Sequence, residues 1–291
     1  MEAAVDAGLA GRLVAGQFPR WTGLPVRPVE PGGWDHRMFR LGDAWVLRLP
    51  SALCYAPQVM KEHVWLPRLA PHLPLPVPDP VALGEPAEGF PFHWGVYRWL
   101  PGTPLGSAAI QDAQGLAAAL AEFLGALQAI DAASGPEPGD HNFHRGGSLA
   151  VYDAEARLAI TRLRAPDGER AACVWEAAIS SRPASRPCWV HGDIAPGNLL
   201  IASDRLTAVI DFGCLAVGDP ACDLAMAWSF FHGDARRRFL EGLRADPGLV
   251  ARAKGWALWK AAVLATGLRP GPLAERERAA QVFRSVLDDP G

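Results

Sequence analysis

The chain has 291 residues, of which 49% are hydrophobic and 20% are charged, as expected for one large or two ordinary globular domains. Its 28 lysines and arginines nearly balance 31 aspartates and glutamates, so the net charge of −3 gives no reason to expect nucleic acid or an anionic membrane as a partner. No apolar run approaches the ~20 residues of a membrane span, and the acidic, alanine-rich start lacks the pattern of a signal peptide.

The cysteines agree with a cytoplasmic location. There are five, an odd number, and none forms a Cys-x-x-Cys pair, so reduced thiols are the expected state. Cys188 and His191 lie three residues apart, but the neighbouring sequence offers no two further ligands for a zinc ion. We therefore expect a cytoplasmic, monomeric protein in which Cys188 and His191 are core and loop residues.

Strand-like segments broken by turns occupy the beginning of the chain. Three successive strands are predicted, at residues 26–30, 37–41 and 45–49. The turns between them are Pro31-Gly32-Gly33 and Gly42-Asp43, whose residue types favour tight changes of direction. Strands joined by such short turns predict an antiparallel sheet.

A helix and a further strand follow. Residues 58–69 carry apolar side chains at helical spacing, whereas residues 71–91 hold too many prolines for a regular helix. Residues 92–100 are predicted to form a strand, which ends at Pro101-Gly102-Thr103-Pro104.

The remainder of the chain is predicted to be mainly helical. Residues 111–130 carry an apolar stripe with helical spacing. Further helices are predicted at 151–164, 223–231, 235–243 and 249–268. A strand-rich first third and a helix-rich remainder indicate a two-lobed α+β chain, with one lobe over 1–99, a hinge near 97–102 and a helical lobe over 100–291. Small-molecule sites are common at such junctions.

The most informative motif is His191-Gly192-Asp193-Ile194-Ala195-Pro196-Gly197-Asn198, which is followed by Asp211-Phe212-Gly213. Two apolar segments, 199–202 and 206–210, lie between these parts and predict a hairpin with Ser203-Asp204 at its turn. Because a hairpin brings its two ends together, we expect Asp211 to lie beside Asn198.

The side chains of this motif suit phosphoryl transfer. Asn198 and Asp211 offer hard oxygen ligands, which Mg²⁺ prefers. Asp193 has no ligand role in this arrangement, so its carboxylate is free to accept a hydrogen bond from an attacking hydroxyl group. Either short motif alone is a common turn sequence, and only their order and spacing together indicate this chemistry.

At these residues the chain resembles the aminoglycoside and macrolide phosphotransferases of the protein-kinase-like superfamily. Those enzymes carry His-Gly-Asp where protein kinases carry His-Arg-Asp, and this chain has the former. The resemblance extends from about Val29 to Trp228 and implies a two-lobed protein-kinase-like fold. By the same resemblance Asp193 would be the catalytic base, Asn198 and Asp211 would hold magnesium, and His191 would be a buried support for the loop.

The resemblance also implies a set of phosphate contacts in the first lobe. Gly32 and Gly33, between the first two strands, match the loop that covers the phosphates of the nucleotide. Arg48 on the third strand takes the place of the lysine that is usual in protein kinases, and Glu62 on the next helix would be its partner. Arginine supplies positive charge and bidentate donors, but it is longer and planar, so the two are not equivalent.

The nucleotide base would be bound by the hinge. Tyr97, Arg98 and Leu100 match the segment that meets the base through backbone groups, and Leu200 and Ile210 match the apolar floor beneath it. Tyr97 occupies the position at which a bulky residue affects the choice of base. Both ATP and GTP therefore remain open as donors.

The acceptor site is the least specified part of the sequence. Residues 139–147 are polar and loop-like, and loops on a helical lobe are where an acceptor would be recognised. A polycationic sugar needs carboxylates, whereas a macrolide needs apolar walls. The candidates are the carboxylates of Asp140, Asp153, Glu155, Glu176, Asp234, Asp288 and Asp289 and the indoles of Trp175, Trp228, Trp256 and Trp259. Solvated charge explains each carboxylate taken singly better than acceptor binding does, and the helical spacing of the tryptophans favours positions in the hydrophobic core.

Asp219 and Asp223 resemble the acidic pair that follows Asp-Phe-Gly in antibiotic kinases. Asp223 precedes an apolar run, so it is well placed to cap a helix. We interpret it as a structural support for the catalytic loop.

These observations predict a magnesium-dependent phosphotransferase that moves the γ-phosphate of ATP or GTP to a hydroxyl group of a small molecule. The resemblance implies an aminoglycoside antibiotic first, and hence antibiotic resistance. The alternatives are a macrolide, another natural product or a metabolite such as choline or homoserine. A third hypothesis is a pseudokinase that binds nucleotide without catalysis. A protein kinase fits less well, because no long activation segment and no Ala-Pro-Glu follow Asp211-Phe212-Gly213.

Overall fold

The structure is a computed structural model that describes residues 5–30, 32–107, 110–183 and 186–289. Pro31, the first residue of the predicted glycine turn, lies outside the described residues. Across the described ranges, none of the helices combines the length and the apolar character needed to cross a membrane.

A five-stranded antiparallel sheet forms the centre of the first hundred residues. Its strands are β1 (Val26–Pro28), β2 (His36–Leu41), β3 (Trp45–Pro50), β4 (Pro80–Gly84) and β5 (Trp94–Arg98), in the spatial order β1-β2-β3-β5-β4. The predicted strands over 26–30, 37–41, 45–49 and 92–100 are confirmed. Strand β4 was not predicted: it lies within the proline-rich segment and begins at Pro80, and the first residue of a strand is a position where proline is tolerated.

Two helices cover opposite faces of this sheet. Helix α1 (Ala7–Gln17) packs against one face, together with the side chains of Leu47 and Leu49 from β3. Helix α2 (Ala56–Leu69), which confirms the predicted helix over 58–69, packs on the other side. Since side chains alternate along a strand, Arg48 of β3 projects towards α2 and not towards α1.

Short strands connect the sheet region to the rest of the chain. Strand β8 (Leu199–Ala202) pairs with β9 (Arg205–Val209) and with β6 (Thr103–Pro104), and β7 (Cys188–Val190) pairs with β10 (Ala216–Gly218). The predicted hairpin is confirmed, and its turn residues Ser203 and Asp204 both have positive φ. Thr103 and Pro104 do more than end a strand, since they add a third strand to this hairpin.

The C-terminal part is built from helices. They are α3 (Ala113–Ala129), α4 (Asp153–Thr161), α5 (Asp167–Ser180), α6 (Ala221–Leu224), α7 (Met226–Ser229), α8 (Gly233–Gly242), α9 (Pro247–Ala265) and α10 (Leu273–Leu287). The sequence analysis missed α1, α5 and α10 and predicted one helix over 223–231, where the structure has two short ones. Helix α9 is at the centre of this part and packs against α5, α6 and α10.

The arrangement confirms the α+β prediction, with an antiparallel sheet first and helices afterwards. One hydrophobic cluster is confined to the sheet and α1. A second cluster runs through the helices and also includes Val46, Leu66 and Tyr97 of the sheet region. The boundary near 97–102 stays a prediction, because packing is continuous between the two parts.

Candidate active site

The loop of residues 191–198, which is predicted to be catalytic, is held in place by two buried side chains, those of His191 and Asp223. Asp223 accepts hydrogen bonds from the backbone N–H groups of His191 (2.8 Å) and Gly192 (2.8 Å). The imidazole Nδ1 of His191 accepts from the N–H of Asp193 (3.2 Å), so its Nε2 must donate to the carbonyl of Ile210 (3.0 Å). These bonds fix the direction in which Asp193 leaves the loop.

The position of Asp223 corrects one detail of the sequence analysis. We expected it to cap a helix, but it lies inside α6 and its carboxylate reaches back to the loop. Burial raises the pKa of this carboxyl, and His191 and the two N–H donors counteract the effect. Asp223 therefore supports the loop by accepting hydrogen bonds from its backbone, and not by capping a helix.

Gly192 is the residue of the loop that cannot be replaced by a larger one. Its φ is +84°, a region that favours glycine. A Cβ atom here would also collide with the carbonyl oxygen of Cys214. The backbone conformation and the close packing at position 192 therefore explain why the middle residue of His-Gly-Asp is glycine.

Replacing Asp223 by alanine is expected to reduce stability by roughly 2–4 kcal/mol, because two buried N–H donors lose their acceptor. Chemical denaturation of the variant measures this difference. Asp234→Ala is the matched control, since Asp234 lies in an exposed ion pair with Arg237 and such pairs contribute little. Equal stability of the two variants would show that Asp223 does not hold the loop.

Asp193 projects into a cleft and has one direct cationic partner among the described residues. The Nζ atom of Lys260, on α9, lies 2.8 Å from its Oδ1, and both side chains are 37% exposed. The Nδ2 atom of Asn198 donates to the Asp193 carbonyl (2.9 Å) and lies 3.4 Å from Oδ2. Burial acts to raise the pKa of Asp193, but Lys260 and Arg145 outweigh it and lower the pKa to about 2. The carboxylate is therefore charged at neutral pH.

Asn198 and Asp211 lie side by side at the open end of the hairpin formed by β8 and β9, as predicted. The N–H of Ile210 donates to the carbonyl of Asn198 (2.9 Å), so Asp211 follows directly beside it. Asp211 has a φ of 67°, which an aspartate tolerates better than most residues. Its Oδ1 accepts from Nη2 of Arg48 (2.6 Å).

The donors present fit magnesium only together with a nucleotide. Within the described ranges no three His, Cys, Asp or Glu side chains lie close enough to form a metal site by themselves. Asp211 keeps Oδ2 free of hydrogen bonds from described residues, and Asn198 supplies an amide oxygen. Mg²⁺ is usually bound by one or two carboxylates together with phosphates and water. The donor set of Asn198 and Asp211 suits that mode of binding.

Arg48 is the centre of a buried polar network. Its Nη1 donates to both oxygens of Glu62 (2.8 and 3.0 Å), and its Nη2 approaches His36 Nδ1 (3.3 Å) as well as Asp211. The hydroxyl of Tyr97 donates to Glu62 (2.7 Å). Burial acts to lower the pKa of Arg48, but Glu62 and Asp211 reverse this and raise it, so the guanidinium stays charged.

Both Nη atoms of Arg48 are engaged by the network, whereas its buried Nε has no partner among the described residues. For Nη2 to contact a phosphate, Arg48 would have to release Asp211. Tyr97 fills the space behind the network, where burial and the charge of Glu62 raise its pKa. The predicted pair of Arg48 and Glu62 is formed, but it includes Asp211 as a third member that the sequence did not indicate.

The other predicted nucleotide contacts are spread around the cleft. Gly32 is exposed and Gly33 half-buried in the loop before β2, and Leu200 is buried in β8. Ile210 and Leu100 are half-buried. The side chain of Arg98 is exposed and pairs with Asp79, so Arg98 can contribute to the predicted hinge only through its backbone.

A cavity of about 530 Å³ opens directly in front of Asp193. Its wall includes aromatic residues, two arginines and carboxylates from both parts of the chain. The lining residues are Asp35, Tyr55, Asp140, Phe143, His144, Arg145, Tyr152, Asp193, Cys214, Trp259 and Arg269. The predicted acceptor loop, 139–147, thus contributes to the cavity.

Most of the predicted acceptor carboxylates are used elsewhere. Asp140 alone of that set lines the cavity, where it pairs with His144. The others form ion pairs with arginine or lysine, as seen for Asp153, Glu155, Glu176, Asp234, Asp288 and Asp289. Trp175, Trp228 and Trp256 are core residues, and Trp259 is buried but also reaches the cavity. Arg145, Tyr152 and Asp35 line the cavity, and Lys260 contacts Asp193; none of these four residues was predicted from the sequence.

Asp35 gives the cleft a pH-dependent charge. Burial, followed by the negative charges of Asp211 and Asp193, raises its pKa to about 6, against the opposing effects of a hydrogen bond from Gln58 and the charge of Arg48. A carboxyl with a raised pKa stabilises the fold only while it is protonated. This contribution is present at pH 4 and is lost as the pH rises through about 6.

Asp35→Asn should therefore raise the melting temperature at pH 8 more than at pH 4. At pH 8 the buried Asp35 carboxylate is ionised and destabilises the fold, whereas asparagine cannot ionise. Thermal unfolding at the two pH values measures the difference. An equal effect of the substitution at both would contradict the raised pKa.

The chain has recognisable relatives in sequence and in structure. The model of the phosphotransferase enzyme family matches residues 26–261. No curated protein matches the chain in sequence. A macrolide 2'-phosphotransferase, MphH from Brachybacterium faecium, is 26% identical with a TM-score of 0.62, and the match covers 96% of this chain and 97% of that one.

Aminoglycoside phosphotransferases show the same fold at lower identity. The GDP complex of aminoglycoside 2'-phosphotransferase-IIIa is 20% identical with a TM-score of 0.76, covering 98% of this chain and 99% of that one. The ternary complex of APH(2")-IIa with streptomycin and ATP is 18% identical with a TM-score of 0.61, covering 99% and 97%. These likenesses confirm the predicted two-lobed, protein-kinase-like α+β fold.

Proposed function

We propose, from the fact that this chain belongs to the phosphotransferase enzyme family, that it transfers the γ-phosphoryl group of a nucleoside triphosphate to a hydroxyl group of a small molecule. One observation supports this most strongly. A carboxylate on a rigidly held loop, Asp193, faces a cavity beside the two oxygen donors of Asn198 and Asp211.

Asp193 accepts the hydrogen bond and then the proton of the acceptor hydroxyl. Its loop is fixed by Asp223 and His191, so the carboxylate is oriented before the substrate arrives. Asn198 and Asp211 are the residues that hold magnesium. When bound, the metal neutralises negative charge on the phosphates of the nucleotide.

Arg48 has two roles in this proposal. Its ion pair neutralises Asp211, which would otherwise face Asp35 and Asp193 as a third negative charge. With nucleotide bound, Arg48 keeps Glu62 as its partner and directs its other nitrogen to the phosphates. Gly32 and Gly33 cover the phosphates from the loop before β2.

The base of the nucleotide lies between the hinge and the hairpin. The N–H of Leu100 makes no hydrogen bond to a described residue and is available to the base, whereas the N–H of Arg98 already donates to the carbonyl of Asp79 (2.9 Å), so Arg98 would contribute its carbonyl group. Leu200 and Ile210 form the floor. Tyr97 closes the back of the pocket, because its hydroxyl is tied to Glu62. Either ATP or GTP serves as the donor in this proposal.

The cavity supports an acceptor that carries apolar surface. The resemblance pointed first to an aminoglycoside, but the charges of the wall are mixed, with Arg145 and Arg269 beside three carboxylates, so the aromatic surface distinguishes the acceptor classes better than charge does. Tyr152 stacks on Trp259 with ring centres 3.7 Å apart, and Tyr55 and Phe143 provide further aromatic surface. These contacts favour the second acceptor class, a macrolide or another natural product, over an aminoglycoside.

A non-catalytic pseudokinase remains the alternative of another class. Its support is that Arg48 stands where lysine is usual and that both of its Nη atoms are bound to carboxylates. The presence of Asp193, Asn198 and Asp211 together argues for catalysis.

The test is a panel of macrolides, aminoglycosides, peptide antibiotics and small alcohols, assayed with ATP and with GTP in the presence of magnesium. Release of nucleoside diphosphate and a phosphorylated acceptor in the mass spectrum are the expected results. Binding of nucleotide without any hydrolysis or transfer would support the pseudokinase instead.

A further inference from the structure

Lys260 is the cation closest to the proposed base, and the catalytic loop offers none of its own. Residues 191–198 contain no lysine or arginine. Lys260 comes from α9, 67 residues after Asp193, and its Nζ lies 2.8 Å from Oδ1. Arg48 is committed to Glu62 and Asp211. Arg145 and Arg269 also line the cavity, but neither forms a hydrogen bond or ion pair with Asp193 in the described ranges, and Arg269 is paired with Glu155.

The ammonium group of Lys260 has unused donors. Within the described ranges it makes a single hydrogen bond, to Asp193, whereas an ammonium group carries three N–H donors. The side chain is 37% exposed, and no second hydrogen bond in the described ranges fixes its ammonium group. Lys254, six residues earlier on α9, differs in both respects. It contacts the carboxylate and the carbonyl of Asp289 and is only 13% exposed.

The position of Lys260 brings it within reach of the transferred group. An acceptor hydroxyl must approach the Asp193 carboxylate to roughly 3 Å in order to give up its proton. Lys260 Nζ lies 2.8 Å from one oxygen of the same carboxylate, so the hydroxyl and the ammonium group share one small region. The phosphoryl oxygens arrive at that hydroxyl, and they carry the charge that develops in the transition state.

We propose that Lys260 is a catalytic residue, which leaves Oδ1 of Asp193 during turnover and binds the oxygens of the transferred phosphoryl group. This proposal rests on the proposed function. The acceptor oxygen bonds to the γ-phosphorus as the bond from that phosphorus to the β,γ-bridging oxygen breaks. The electron pair leaves with the nucleoside diphosphate, and the hydroxyl proton passes to Asp193. Movement of Lys260 exposes the carboxylate oxygen that takes this proton.

The first test compares Lys260→Met, Lys260→Arg and the control Lys254→Met, with magnesium, ATP or GTP and the best acceptor of the panel. We expect Lys260→Met to lower kcat by about 100-fold, the scale for loss of one transition-state donor. KM for the nucleotide should change less than about threefold, because ground-state binding is retained. Lys260→Arg should recover part of kcat, and Lys254→Met should resemble the wild type.

A second test does not depend on turnover. Calorimetry measures how much aluminium fluoride, which mimics the transferred phosphoryl group, tightens the binding of the nucleoside diphosphate with magnesium. The wild type and Lys254→Met should show this gain, and Lys260→Met should lose it.

The possible outcomes separate the two proposals. If the wild type transfers phosphate but Lys260→Met keeps kcat within about threefold of it, the role of Lys260 is wrong and the proposed function stands. The same holds if aluminium fluoride tightens binding equally in Lys260→Met, or if Lys254→Met loses as much activity. A wild type without any hydrolysis or transfer would overturn both proposals.

Discussion

Asp193→Asn is expected to lower phosphotransfer by at least about 100-fold, the usual contribution of a positioned base. The amide has nearly the shape of the carboxylate, so the loop held by Asp223 and His191 should keep its conformation. It cannot accept the hydroxyl proton, and it removes the ion pair with Lys260. Steady-state release of nucleoside diphosphate with the acceptor identified by the panel measures the loss.

Nucleotide binding provides the control for this substitution. Asp193 is not among the proposed magnesium ligands, so the affinity for the metal–nucleotide complex should remain close to that of the wild type. Calorimetric titration of both proteins with nucleotide and magnesium compares the two. Turnover near the wild-type level would exclude Asp193 as the base, whereas joint loss of binding and turnover would assign it to nucleotide binding.

Arg48→Met should have the largest effect on stability, a loss of roughly 3–5 kcal/mol, because it leaves a buried carboxylate without its partner. Glu62 is fully buried and accepts from both Arg48 and Tyr97. Without the guanidinium, its charge is compensated only by the hydroxyl of Tyr97. Denaturant unfolding at neutral pH measures the change in free energy.

Two further variants separate this cause from simple loss of packing. The double variant Arg48→Met with Glu62→Gln should recover part of the lost stability, since it removes the uncompensated charge. Arg12→Met, at an exposed ion pair with Glu88, should change stability by less than about 1 kcal/mol. If the double variant is less stable than Arg48→Met, the buried charge is not the cause.

The sequence indicated the parts of the site that local geometry determines. The hairpin between Asn198 and Asp211 follows from two apolar runs and a turn, so their proximity could be predicted from a short stretch of chain. Arg48 and Glu62 lie only 14 residues apart, on a strand and the helix that follows it. Patterns of this kind are readable because strand and helix periods fix the side of each residue.

Residues that meet Asp193 across the fold could not be predicted in this way. Lys260 lies in the middle of α9, whose side chains are apolar on nearly all sides, so no polar face marks it. Arg145 and Asp35 come from loops whose course depends on tertiary packing. Only the tertiary structure brings them together, in the wall of the cavity in front of Asp193.

The missed elements have related causes. Helix α1 is rich in alanine and glycine, so the apolar spacing that would indicate a helix is weak. Strand β4 is hidden among prolines, and it is stabilised by its pairing with β5 and not by its own composition. The candidate acceptor carboxylates were predicted too generously. Glu155, for example, is neutralised by Arg269, which is more than a hundred residues away in sequence, and such a pairing cannot be read from the sequence.

The central claim is that Asn198 and Asp211 form, at the end of the hairpin, a pocket that binds a nucleotide through magnesium. Calorimetric titration of ATP and GTP with and without magnesium, on the wild type and on Asp211→Asn, tests it most directly. We predict that magnesium tightens binding of at least one nucleotide in the wild type and that Asp211→Asn abolishes this gain. Nucleotide affinity that is independent of magnesium, or a gain that survives in Asp211→Asn, would contradict it.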